Sequence, residues 1–139
     1  RGLMMSEAVM HALQAAALWS GLLILMMLVL SGIVVSGRRK HMVSFGDGGN
    51  ADLMAASRAF GNLVEYATPG MIAMLLLAAV GAPAWMIHGV GATLFVGRVA
   101  HALGLLLQTG PSLGRVVGML LTWVELLTAA VGLIAFAVV

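Results

Sequence analysis

Residues 12–35 read ALQAAALWSGLLILMMLVLSGIVV, and no Asp, Glu, Lys or Arg falls between Glu7 and Arg38. At 1.5 Å of rise per residue, a helix of this length crosses a hydrocarbon layer of roughly 30 Å with residues to spare. The run is too long for the core of a signal peptide, and no cleavage site followed by a soluble domain comes after it. It reads as the first of several membrane spans.

The remainder of the chain repeats the pattern. A second span begins near Asn50 or Asp52 and continues to Val80, a third covers Ala84 to Leu107, and a fourth extends from Leu113 to Val139. Asn50 is a helix-capping residue type, and Asp52 places an acid where the helix dipole favours one. Pro69 lies mid-span, removes one backbone hydrogen bond and bends the helix. Gly81-Ala82-Pro83 closes one helix and opens the next. Thr109-Gly110-Pro111-Ser112 makes the last turn. Connections this short predict an all-α membrane protein, a four-helix up-down-up-down bundle forming a single domain over residues 1–139.

Composition excludes the main alternatives. Only 9% of the 139 residues are charged and 62% are hydrophobic, whereas a soluble domain carries about 25% charged residues. The net charge is +2, and the only basic cluster is Arg38-Arg39-Lys40-His41, which is too small to hold a nucleic acid backbone. Beside an apolar run such a cluster sets membrane orientation. Loops one and three are therefore expected in the cytoplasm, and both termini on the opposite side. Cysteine is absent, which removes disulfides and thiolate chemistry. Arg1-Gly2-Leu3 is expected to precede a natural start at Met4 or Met5.

Against this background five charges stand out: Arg58, Glu65, Arg98, Arg115 and Glu125. An ionised group in hydrocarbon costs several kcal/mol, so such residues face a protein interior or a polar cavity. Arg58, Asn62, Glu65 and Tyr66 share one helix face. Arg98 and His101 are one turn apart, and Arg115 opens the fourth span. Helical rise puts all of them in the half of the membrane nearest loops one and three, with Glu125 closer to the middle. Two readings follow. The charges neutralise one another and fix helix register, or the surplus of cations receives an anionic, carboxylate-bearing ligand. Glycines within the spans, Gly61, Gly70, Gly89, Gly91, Gly97, Gly104 and Gly118, mark close helix packing. His88 and His101 lack a carboxylate at ligand spacing, so no metal site is expected. The buried charges need more company than one slim bundle gives, which points to an oligomer.

The segment Arg58-Ala-Phe-Gly-Asn-Leu-Val-Glu-Tyr-Ala-Thr-Pro69 resembles the second-helix signature of the MAPEG family, membrane-associated proteins of eicosanoid and glutathione metabolism. Gly97-Arg-Val-Ala-His-Ala-Leu-Gly104 and Arg115-Val-Val-Gly-Met-Leu-Leu-Thr122 extend the likeness, and Phe45-Gly-Asp-Gly-Gly49 is similar to the small bacterial inner-membrane branch. The resemblance implies a homotrimer in a bacterial inner membrane, holding glutathione between subunits near the cytoplasmic side. Arg58, Asn62, Glu65 and Tyr66 correspond to residues that hold the tripeptide. Arg38 or Arg39 reaches it from the first helix, and Arg98 and His101 line the pocket. The family's glutathione users carry an aromatic hydroxyl where this chain has His101, and another at Leu105. Their thiol-activating arginine falls at Pro111-Ser112, about three residues before Arg115.

The chemistry implied is thiolate attack on a hydrophobic electrophile that arrives from the lipid, as in a glutathione transferase or peroxidase. Arg115 is the first candidate to favour the thiolate and His101 the second. The rival is a non-catalytic membrane protein that binds a lipid or small anion, or a purely structural trimer.

Overall fold

The computed structural model describes residues 5–108 and 110–139. The expected remnant at Arg1–Leu3, a start at Met4, and Thr109 of the third turn lie outside the described residues. Four helices account for nearly everything else: α1 (Glu7–His41), α2 (Ala51–Ala79), α3 (Ala84–Leu107) and α4 (Leu113–Val138). Each is long and apolar enough to cross a membrane. The chain is an all-α bundle of four membrane-spanning helices.

Helix α1 extends beyond its apolar run at both ends. Ser6 caps its start, accepting a hydrogen bond from the Val9 amide at 3.3 Å, and Glu7 sits in the first turn. Arg38, Arg39, Lys40 and His41 occupy the last turn, where cations complement the dipole. Met42 then turns left-handed at φ 55° and its amide closes on the Arg38 and Arg39 carbonyls.

Loop one folds as a tight turn. Arg38 Nη1 donates to the Gly46 carbonyl at 2.7 Å, and Asp47 Oδ1 accepts from the Gly49 amide at 2.9 Å. Gly48 has φ 59°, and a Cβ there would lie 2.6 Å from Val43 Cγ2, so both backbone and space demand glycine. Asn50 stands at the cap of α2, but its side chain donates to the Asp47 carbonyl at 3.1 Å and makes no cap bond. His41 and Lys40 reach Asp52 at 2.8 and 3.9 Å, tying the end of α1 to the start of α2. Gly81 at φ 97° follows the cap of α2 and turns the chain into the second connection, and Pro83 is the cap residue of α3 instead of its first helical residue. Ser112 caps α4, accepting from the Arg115 amide at 3.3 Å.

The packing is not a square. Helices α2 and α3 form the centre, each touching all the others, while α1 and α4 lie on opposite flanks with no contact between them among the described residues. The α3–α4 seam is the most extensive, and glycine makes it. A Cβ at Gly114 would lie 2.9 Å from the Ala100 carbonyl, and one at Gly118 would lie 2.6 Å from the His101 amide. In α3, a Cβ at Gly97 would lie 3.0 Å from Thr122 Oγ1. Gly91 receives the indole of Trp19 from α1, and Gly70 receives Leu94. Close packing was the expectation for most of the span glycines. Gly61 and Gly89 depart from it: a Cβ at Gly61 would meet only Arg58 of its own helix, and one at Gly89 nothing within 4 Å.

Candidate functional site

Arg98 is the centre of the bundle's polar chemistry. Its side chain leaves α3 into the space between α2 and α4 and is 1% exposed. Nε donates to Thr122 Oγ1 at 2.9 Å, Nη1 to Asn62 Oδ1, and Nη2 to the Gly118 carbonyl at 3.4 Å and Met119 Sδ at 3.3 Å. The guanidinium also lies 5.1 Å from the centroid of the Tyr66 ring, within reach of a cation–π attraction. Thus one buried cation from α3 fixes Asn62 and Tyr66 of α2 and Thr122 of α4. Every polar partner is neutral, and four of its five N–H donors have a partner in the protein.

Arg58 and Glu65 behave differently. They share α2's face with Asn62 and Tyr66, but their side chains are 57% and 59% exposed, 3.9 Å apart. In a single chain this ion pair looks outward. Neutralisation within the set is therefore partial. Arg58 pairs with Glu65, whereas no ion pair within 4.0 Å joins Arg98 to Glu125 among the described residues. The Glu125 side chain is 1% exposed, and both its oxygens are without a hydrogen-bond partner among the described residues.

Arg115 stands at a junction. Its backbone belongs to the first turn of α4, and its Nη1 donates to the Gly110 carbonyl at 3.4 Å. It lines a groove of about 220 Å³ together with Arg58, Met54, Leu105 and Gln108. It also lines a wider groove of about 390 Å³, together with His101, Val116, Met119, Leu120 and Trp123. The first groove is bordered by two guanidinium groups, and the second is walled mainly by apolar side chains that face outward. His101 is buried at the second groove's inner edge.

Arg38 and Arg39 are not brought to these grooves within one chain. Gly37 faces Leu53 of α2, where a Cβ would lie 3.1 Å from Leu53 Cδ1. At 100° per residue Arg39 is about 200° round from Gly37, on the far side of α1. Both arginines border a separate groove with Val35, Met42, Val43 and Ser44, and Arg38 is already engaged with Gly46.

Two features were not read from the sequence. Thr122 and Gly118 supply the α4 half of the Arg98 cradle; their one-turn spacing opposite a buried arginine is the signal that could have found them. Trp19 Nε1 donates to His88 Nδ1 at 3.1 Å, joining α1 to α3 near the other end of the bundle. Among the described residues no group of three or more metal-ligating side chains gathers.

Comparison with known proteins agrees with this architecture. The MAPEG family profile matches residues 16–135, which take in part of every helix. Two curated relatives, each called inner membrane protein YecN and drawn from two strains of Escherichia coli, are 38% identical over 89 residues, 64% of this chain and 68% of theirs. No solved structure matches significantly. With a family match across all four spans, the chain belongs to the MAPEG family.

Proposed function

We propose that this chain is an inner-membrane protein that binds glutathione between the subunits of a homotrimer and transfers it to hydrophobic electrophiles. The observation that carries this reading is the Arg58–Glu65 pair. It is more than half exposed at membrane depth, beside an Asn62 and Tyr66 held rigidly by Arg98. Charges left against acyl chains cost several kcal/mol. A neighbouring subunit over that face would shelter them and turn an exposed stripe into a pocket wall. Arg39, on the outward side of α1, is then available to a neighbour's pocket and not to its own. Loops one and three, flanked by the cationic residues at the end of α1 and the start of α4, face the cytoplasm in this arrangement, and the termini lie on the other side.

In this reading Arg58 clamps a glutathione carboxylate, Glu65 pairs the ligand's amino group or orients Arg58, and Asn62 and Tyr66 supply directional hydrogen bonds. A free thiol ionises above neutral pH, at about 8.5 for cysteine. The Arg115 guanidinium, positioned between the cationic groove and the apolar one, would favour the thiolate. The sulfur then attacks an electrophile lying along Val116, Leu120 and Trp123. With a chlorodinitrobenzene acceptor the C–S bond forms, the C–Cl bond breaks and chloride leaves. His101 is the second candidate to handle the thiol proton.

Two measurements test this. Calorimetry with glutathione in detergent should give a saturable heat at or below millimolar ligand. Conjugation of chlorodinitrobenzene should fall at least tenfold in Arg115→Ala, with binding heat retained. Absence of heat favours the rival reading, a lipid- or anion-binding protein without catalysis, for which the apolar Leu105 and the buried, internally bonded Arg98 speak. An unchanged rate in Arg115→Ala removes that residue from the mechanism.

A further inference from the structure

A second groove system lies between α3 and α4, farther from loop three than the Arg115 grooves, and its chemistry is opposite in sign. It encloses about 210 Å³ and is bordered by Trp85, Gly89, Thr93, Val124, Glu125 and Thr128. Glu125 lies about 18 Å from the loop-three end of α4 by helical rise, near the middle of the membrane. Trp85 stands at the opposite end of the groove, 76% exposed in the first turn of α3, and Val124 on the wall is 59% exposed. The groove therefore opens sideways to acyl chains, and Glu125 borders it with its carboxyl oxygens buried on the side of Gly70 in α2.

That carboxyl is the anomaly. Buried polar groups in native proteins are paired, because leaving one unsatisfied costs about 1–3 kcal/mol and more when it is charged. Both Glu125 oxygens lack a partner among the described residues. The nearest buried cation, Arg98, gives its N–H groups to Thr122, Asn62, Gly118 and Met119 instead. Register and charge balance do not require an acid that bonds to nothing. Glu125 Oε1 lies 3.6 Å from where a Gly70 Cβ would be, in space left by the missing side chain. Its flexible side chain lets the carboxyl turn from α2 toward the groove without backbone movement.

The other polar atoms of the groove have the same preference. Thr93 Oγ1 donates its proton to the Gly89 carbonyl at 2.8 Å, and Thr128 Oγ1 donates to the Val124 carbonyl at 2.7 Å. Both hydroxyls then have only lone pairs left for a ligand. The walls offer acceptors, the Glu125 carboxyl joins them once its side chain turns from α2, and an indole stands at the mouth whose ring face attracts cations. At about 210 Å³ the space is smaller than the 300–1,000 Å³ typical of drug-sized ligands. It fits a small head, with any tail left in the lipid.

We propose that this groove is a binding site for lipophilic amines in their ammonium form, which enter from the bilayer and place the N–H donors of the head against Glu125, Thr93 and Thr128. An ammonium group has three donors and no acceptor, the complement of what the groove presents. The site shares no lining residue with the Arg58–Arg115 grooves and does not depend on glutathione binding.

The test uses the full chain in nanodiscs and radiolabelled dodecylamine as probe, with empty nanodiscs subtracted. Dodecanol and dodecyl sulfate are competitors of the same tail length. Saturable binding that dodecylamine competes for, and that dodecanol and dodecyl sulfate do not, is expected. Glu125→Gln, which keeps the shape and removes the charge, should weaken it at least tenfold. Gly89→Leu provides the second arm. Its side chain projects into open space, so it fills the groove while sparing the fold and Glu125. It should weaken binding to a similar degree, with the thermal unfolding midpoint unchanged. Wild-type affinity in either variant, or equal competition by dodecanol, overturns the proposal.

Discussion

Replacing Thr122 by valine isolates what the Arg98 cradle contributes. The substitution keeps the side chain's shape and removes the hydroxyl that accepts Arg98 Nε at 2.9 Å. A hydrogen bond to a charged group is worth about 1.5–3 kcal/mol in soluble proteins. Interhelical hydrogen bonds in membranes average nearer 0.6 kcal/mol, because the unfolded chain in lipid also finds partners. Two observations put this bond toward the upper range. Arg98 is 1% exposed, so water does not replace the lost acceptor, and its bonds to Asn62, Gly118 and Met119 hold the guanidinium in place. We expect a loss of about 2 kcal/mol, roughly thirtyfold in the folding equilibrium. The assay is reversible unfolding by sodium dodecyl sulfate in mixed micelles, followed by tryptophan fluorescence. Thr128→Val is the control. Its hydroxyl bonds only to its own helix and is exposed, so it should shift stability by less than about 0.5 kcal/mol. Equal losses in the two variants would refute the idea that Arg98 staples three helices together.

Three further outcomes are expected. Gly118→Leu forces a side chain against the His101 backbone, since even a Cβ lies 2.6 Å from that amide; overpacking should cost about 1–3 kcal/mol or more and also depress any conjugation activity, whereas Gly89→Leu should leave stability unchanged. Ser112→Ala loses the cap of α4 and the bond to the Gly104 carbonyl at 3.2 Å, and should lower stability by about 1 kcal/mol in the same unfolding assay. Glu125→Leu removes a buried carboxyl that has no hydrogen bond, so the melting midpoint in detergent should rise; a lower midpoint would mean that this acid has a structural partner after all.

The fold was legible because a bilayer demands long apolar helices, and hydropathy reports that demand directly. Its boundaries were less so. Helix α1 was expected over residues 12–35 and extends from Glu7 to His41, since hydropathy marks the hydrocarbon layer whereas the helix ends at its caps. The polar face of α2 was legible from helical spacing, but its division was not. Asn62 turns to Arg98 while Arg58 and Glu65 look outward, a difference set by where α3 and α4 pack, on which local sequence is silent. The same holds for Glu125, which the sequence placed among charges able to neutralise one another. The structure leaves Glu125 and Arg98 without an ion pair, because Thr122, one turn earlier on α4, takes the guanidinium. Arg38 and Arg39 carried the right charge, but only the Gly37–Leu53 contact reveals that Arg39 points away from α2.

Among the described residues α1 and α4 make no contact, which separates the molecule's two flanks energetically. Substitutions on the outward side of α1 and on the outward side of α4 share no neighbour, so their effects should simply sum. Relatives can therefore diversify either flank without compensating on the other. The central pair, α2 and α3, has no such liberty, because every rearrangement of the bundle must pass through it.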